Sequence, residues 1–251
     1  MIGKLRVWVR IILIFTINYF WTIPPSTGQS TDSNKYGLYV ISDIQKFKET
    51  VAADSNKQML NLRKYLPGVT YDLRYTTTNN FMRQKLYPPV RTTYLRKPAV
   101  AALKKVVEEL KKQNLTIKIF DAYRPYSVTE KMWEIVKDDR YAADPSKGSG
   151  HNRGVAVDIT LIDVKSKTEL PMGTGFDNFS DTAHNDFTAL PADVLKNRAV
   201  LKSIMEKYGF VSLPTEWWHF SLPNASSFEL LSLSFDDLKK INKIVNKNLA
   251  L

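Results

Sequence analysis

The chain has 251 residues, enough to bury a sizeable core in one large domain or two small ones. Hydrophobic residues make up 43% and charged residues 24%, ordinary globular material, and the lack of cysteine excludes disulfides and thiolate ligands, leaving His and carboxylate for any metal site. The net charge of +11 comes from Lys and Arg spread among Glu in helical stretches, with no aromatic-basic motif; this excludes a nucleic-acid module and leaves a solvated surface with weak attraction to anionic envelope polymers.

At the amino terminus Lys4, Arg6 and Arg10 precede an apolar run from Ile11 to Trp21. That run has the length of a signal-peptide core and is short for a bilayer span. Pro24, Pro25 and the small residues to Gly28 break it, so residues 1–28 are expected to direct export and to be cleaved near Gly28, with an uncleaved anchor as the alternative. Residues 29–37 (QSTDSNKYG) are polar and small and read as a tether. The expected location is the periplasm or cell envelope.

Tyr39–Ile41 reads as a short strand and 43–65 as weakly helical, ending at Pro67-Gly68. Val69 to Tyr75 is rich in aromatic and branched residues, as a strand would be, and runs into the polar segment 76–81. Tyr75, Asn80 and Phe81 are readable there as a strand end with its loop. Pro98 opens a helix whose apolar stripe is Ala99, Leu103, Val106, Val107 and Leu110. A strand over 116–120 follows and delivers Asp121-Ala122-Tyr123-Arg124-Pro125 at its end, where Pro125 restricts Arg124 to an extended or turn conformation. Arg124 is either a surface arginine or a residue with a fixed role.

Residues 127–136 suggest a helix with Val128, Met132, Ile135 and Val136 on one face, and 138–150 a loop. Ser149-Gly-His151-Asn-Arg-Gly-Val-Ala-Val-Asp158 comes next. Val155, Val157 and Ile159 alternate with Ala156, Asp158 and Thr160, a strand with one apolar face and one site face. Further on, two glycines in 171–177 imply a tight loop, in which Asp177 is a turn former or a site carboxylate. His184 reads as exposed. A helix over 193–208 ends at Gly209, and strands at 210–213 and 216–220 carry Glu216-Trp217-Trp218-His219. Ser234 caps a basic amphipathic helix to Leu249.

Two of the three histidines of the chain lie in these last motifs, beside acidic residues. His151, Asp158 and His219 make a three-ligand set with a fourth position left for water, the arrangement of catalytic zinc. Glu216, three residues before the last ligand, could act as general base toward that water.

Taken together, the motifs resemble the VanX-type D-alanyl-D-alanine dipeptidases, zinc metallopeptidases related in fold to D,D-carboxypeptidases and the hedgehog signalling domain. The resemblance rests on SGHNRGVAVD, EWWH, Tyr123-Arg124-Pro125, YTTTNNF at 75–81 and MGTGFD at 172–177, five separated motifs in order over roughly residues 65–222. It implies an α+β single domain with a central antiparallel sheet flanked by helices, hedgehog/D,D-peptidase-like, here over 38–228, with 229–251 as an added C-terminal helix. It implies one zinc ion held by His151, Asp158 and His219, with Glu216 as base and Arg124 stabilising the oxyanion. Ser149 would contact the carboxylate of a small dipeptide, and Asp177 with Tyr75 its ammonium. The expected reaction is hydrolysis of D-Ala-D-Ala in wall-peptide turnover or recycling. A D,D-carboxypeptidase acting on longer wall peptides and a zinc-stabilised module without turnover are the alternatives. Relatives that confer glycopeptide resistance work in the cytoplasm, so an exported chain points to recycling.

Overall fold

In a computed structural model the described residues are 33–248. The expected export segment and the first part of the tether lie outside them. The elements in order are β1 (Val40–Ile41), α1 (Ile44–Ala53), β2 (Met59–Asn61), α2 (Leu62–Tyr65), β3 (Thr70–Tyr71), β4 (Tyr94–Arg96), α3 (Lys97–Lys111) and β5 (Leu115–Asp121). They continue with α4 (Tyr126–Ile135), β6 (Ala156–Asp163), α5 (Ala192–Lys207), β7 (Val211–Leu213), β8 (Glu216–Ser221), β9 (Leu230–Leu231) and α6 (Phe235–Asn248). This is an α+β fold. Among the described residues no helix is long and apolar enough to cross a membrane.

The main sheet has the order β3-β5-β6-β8-β7. Its central pairs are antiparallel, as expected, and the two-residue edge strand β3 runs parallel to β5. Register is what builds the site. Asp121 on β5 stands opposite Asp158 on β6, and Asp158 opposite His219 on β8, so three polar residues form a row across three strands. Partners opposite each other share a face, with Cβ atoms about 4.5–5.5 Å apart. A bulge between Ile119 and Asp121 brings Asp121 into that row.

Helices α3 and α5 pack on the sheet and on each other. The expected stripe of α3 is buried, with Leu103, Val106 and Leu110 at 0% exposure. Both tryptophans of EWWH are core. Along β6 every residue from Val155 to Ile162 is buried, so the site face is as enclosed as the apolar one.

Three stretches differ from expectation. Residues 43–65 are not one helix: Asp43 caps α1, accepting from the Lys46 N–H at 2.8 Å, and Asp54 ends it. Met59–Asn61 then pairs antiparallel with β4, a tertiary contact that overrides weak helical propensity. The strand expected over 69–75 stops at Tyr71. Arg74–Thr76 is a 3-10 turn in which the Thr76 hydroxyl donates to the Leu73 carbonyl at 2.7 Å, a local bond that competes with strand pairing. Ile135, expected inward, is 60% exposed at the last residue of α4.

The ends of the described chain are tied to the body. Asn34, in the expected tether, caps its own turn and donates to the Tyr126 hydroxyl at 2.9 Å. The strand β9 pairs parallel with β1, so the segment expected only as an added helix begins inside the fold. Leu238 and Ile241 of α6 are buried. The Ser234 hydroxyl accepts from the Asp237 N–H at 3.1 Å, and its own N–H donates to the Asp237 carboxylate, also at 3.1 Å. Ser234→Ala is expected to cost about 1 kcal/mol, read as a lower urea midpoint at unchanged slope.

Candidate active site

The turn 149–154 sets His151 where β6 begins. Gly154 has φ +70, and a Cβ there would come within 2.6 Å of the Met59 sulfur. A Cβ on Gly150 would meet the Ser221 hydroxyl at 2.7 Å. Both glycines are therefore needed for the turn to sit against the sheet. Asn152, fully buried, accepts from the Ser149 N–H at 3.0 Å and donates to the Arg124 carbonyl at 3.0 Å and the Thr129 hydroxyl at 2.8 Å. This side chain ties the turn to the segment carrying Arg124.

His151 Nδ1 donates to the Ala122 carbonyl at 2.6 Å, which leaves Nε2 as a lone-pair donor turned toward the row of residues on the sheet. His151 Nε2 lies 3.2 Å from His219 Nδ1 and 3.3 Å from Asp158 Oδ2, and His219 Nδ1 lies 2.9 Å from Asp158 Oδ1. Zinc bonds of about 2.0–2.2 Å at tetrahedral angles would set ligand atoms roughly 3.3–3.5 Å apart. The observed edges fit such a group, and His151, Asp158 and His219 are the set among the described residues able to hold a metal ion.

The charges around it are strongly coupled. Burial pushes the Asp158 carboxyl up, but the histidines on either side outweigh it and hold it below the usual carboxylate range. Burial works against a charged His219, yet its bond to Asp158 raises it. Burial, with the charge of Asp158 adding, pushes Glu216 up to about 7, against the opposing pull of His219 and Arg124. Glu216 Oε2 is 3.9 Å from His219 Nδ1.

Arg124 is not a surface residue; it is 7% exposed. Its Nε and Nη2 meet Asp121 Oδ2 at 3.0 and 2.9 Å, and Nη2 lies 4.0 Å from Asp158 Oδ2. The guanidinium sits over the Tyr75 ring at 5.1 Å. Burial opposes its charge, but Asp121 and its neighbours hold it well above its ordinary value. Asp121 also accepts from the Tyr87 hydroxyl at 3.1 Å.

Asp177 comes from a loop fixed at both sides. Phe176 stacks on Phe120 at 4.8 Å and meets Trp218 edge-on at 5.6 Å. Arg198 on α5 donates to the carbonyls of Met172, Thr182 and His184. Asp177 itself adopts φ 59, a left-handed conformation that aspartate tolerates. Its carboxylate accepts from the Tyr75 hydroxyl at 3.1 Å, and burial, then the charge of Asp158, pushes it well above the usual range.

All eight residues singled out from the sequence (Tyr75, Arg124, Ser149, His151, Asp158, Asp177, Glu216 and His219) line one cavity of about 240 Å³. His184 lies apart, half-buried beside Asp181. Sequence reasoning missed Asp121, Asn152 and Arg198. Asp121 had a signal: an acidic residue three before an arginine at a strand end. Arg198 had none, since its carbonyl partners come from a loop.

The chain matches the family described as D-ala-D-ala dipeptidase over residues 55–240. That span reaches into α6. It is 35% identical over 178 residues to the D-alanyl-D-alanine dipeptidase of Escherichia coli (strain K12), covering 71% of this chain and 91% of that one. The D-alanyl-D-alanine dipeptidases of Enterococcus faecium and Streptomyces coelicolor (strain ATCC BAA-471 / A3(2) / M145) are 28% and 29% identical, over 64% and 62% of this chain and 89% and 86% of theirs. A solved structure of the LdcB LD-carboxypeptidase aligns with 68% of this chain and 71% of its own at a TM-score of 0.40 and 18% identity.

Proposed function

The chain belongs to the D-Ala-D-Ala dipeptidase family, and on that premise we propose that it hydrolyses D-Ala-D-Ala to D-alanine, with one zinc ion held by His151, Asp158 and His219. The observation that carries this reading is the convergence of the ligand group, an acid–base carboxylate and a fixed cation in one cavity of about 240 Å³. The ion would supply Lewis acidity toward the scissile carbonyl and the attacking water.

The chain's own residues do the rest. Glu216, whose carboxylate lies 3.9 Å from His219 Nδ1 beside the ligand group, takes the proton of the attacking water and passes it to the leaving amine. Arg124, fixed by Asp121, faces the negative charge that develops on the carbonyl oxygen. Ser149, whose oxygen accepts from the Asn152 N–H at 3.3 Å, keeps its hydroxyl proton to donate to the dipeptide carboxylate. Asp177, with Tyr75 donating to it, receives the ammonium at the other terminus and becomes fully ionised when that cation arrives. A site that measures both charged ends rejects a substrate lacking one of them, because a buried group is left unpaired.

Two further points belong to the same reading. Export is supported by Lys4, Arg6 and Arg10 before the apolar run to Trp21, and an exported enzyme would act on wall-derived dipeptides. The basic surface gives at most weak attraction to anionic envelope polymers.

The test compares D-alanine release from D-Ala-D-Ala and from N-acetyl-D-Ala-D-Ala. Release from the unblocked dipeptide alone is the expected result, and efficient release from the blocked one would make this a D,D-carboxypeptidase. Binding of zinc with turnover of neither would leave a non-catalytic module. Asp177→Asn is expected to lower kcat/KM on D-Ala-D-Ala by about 10- to 100-fold, mainly through KM, since it removes a charge that pairs the bound ammonium. Unchanged KM would remove Asp177 from that role.

A further inference from the structure

The active-site cavity does not end in solid protein at Asp177. A second, more open cavity of about 480 Å³ adjoins it, lined by Arg74, Asn79, Asn80 and Arg83. Phe81 and Asp177 line both, so these two side chains form the partition between them.

Phe81 is held on two sides. Its ring meets Tyr75 edge-on at 6.2 Å and Phe179 at 5.1 Å. Phe179 in turn packs on Tyr141 at 4.7 Å, and Tyr141 lines the active-site cavity. The three connecting segments 77–93, 136–155 and 164–191 thus meet in one chain of aromatic rings beside the cavity. Phe179 lines neither cavity and acts only as a brace.

Beyond the partition the chemistry changes. Arg74 lies over Phe120 and pairs with Asp72 at 2.7 Å. Arg83 is exposed, with φ 50, its backbone N–H donating to the Asn80 carbonyl at 3.0 Å. Asn80 donates to the carbonyls of Arg74, Thr77 and Gln84, which keeps this wall in place. The groove is therefore lined by two arginines, Arg74 of the 3-10 turn and Arg83 of the loop after it, and by none of the three metal-ligand residues.

We propose that Phe81, braced by Phe179, is a further specificity-determining residue that adds a steric limit to the charge pairing at Asp177, by blocking the path along which an N-terminal extension would pass Asp177 into the arginine-lined groove. The inference rests on the dipeptidase reading and locates a steric part of its length limit. An extension carrying a carboxylate fits the groove best, because Arg74 and Arg83 meet it there.

The experiment measures kcat/KM on D-Ala-D-Ala, N-acetyl-D-Ala-D-Ala and N-succinyl-D-Ala-D-Ala for the wild type, Phe81→Ala, Phe179→Ala and the double variant Phe81→Ala/Arg83→Glu. Phe81→Ala is expected to raise the ratio of blocked to unblocked dipeptide by about tenfold or more. Phe179→Ala shifts the ratio in the same direction by less. In Phe81→Ala the succinyl peptide outpaces the acetyl one, and Arg83→Glu removes that advantage. An unchanged ratio in a Phe81→Ala protein that still cleaves D-Ala-D-Ala would overturn the inference. Should Phe81→Ala fail to fold, an unchanged ratio in Phe179→Ala overturns it equally. Wild-type protein inert toward the unblocked dipeptide overturns the dipeptidase reading first, and is distinguished because the failure precedes any substitution.

Discussion

Glu216→Gln is expected to lower kcat on D-Ala-D-Ala by about 10²–10⁴-fold while zinc content stays at the wild-type level. The amide keeps the size and most of the hydrogen bonding of the carboxylate, but it cannot take a proton from water. Burial already holds Glu216 at about 7, far closer to a working base than an exposed glutamate. A cation among His151, Asp158 and His219 would draw that value down by opposite-charge attraction. Steady-state kinetics with metal analysis on the same preparation separates the outcomes. Equal loss of zinc and activity would make Glu216 part of the ligand cage instead, and unchanged kcat would remove it from the chemistry.

Arg124→Ala should lower kcat by about 10²–10³-fold, the range found for losing one oxyanion donor. It should also destabilise the protein, by up to about 3–5 kcal/mol, because Asp121 would remain buried without its cation. Part of that penalty is relieved by protonation: burial already raises the Asp121 carboxyl, and losing Arg124 raises it further. Arg124→Lys is the informative companion. It keeps a charge but cannot reproduce the Nε and Nη2 contacts with one carboxylate oxygen, so it should retain more stability than activity. Urea unfolding beside kcat would show this. A fully active Arg124→Lys enzyme would mean that charge alone suffices.

The parts of the molecule readable from sequence were those where local pattern and tertiary role agree. Pro98 with the stripe from Ala99 to Leu110 specified α3. His151, Asp158, Glu216 and His219 were legible from side-chain type and spacing alone, whereas Tyr75, Arg124, Ser149 and Asp177 were singled out by the family resemblance. What stayed hidden depends on partners distant in the chain. Met59–Asn61 is a strand only because Tyr94–Arg96 lies beside it. The turn at Arg74–Thr76 follows from threonine hydroxyls bonding back to the chain, which a count of branched residues scores as strand. Arg198 sits on the inward face of α5 among apolar residues, and nothing in its helix reveals that it holds the loop bearing Asp177. The parallel pairing of β1 with β9 joins residues far apart in sequence and carries no local signature.

The most direct test of the central claim is metal reconstitution. Protein stripped with a chelator is titrated with zinc while D-alanine release from D-Ala-D-Ala is followed, beside a His219→Ala variant. Activity should be absent in the stripped protein and rise in proportion to bound zinc, saturating at one ion per chain, with the variant recovering none. Full activity without metal, or full recovery in His219→Ala, would contradict a catalytic site built on His151, Asp158 and His219.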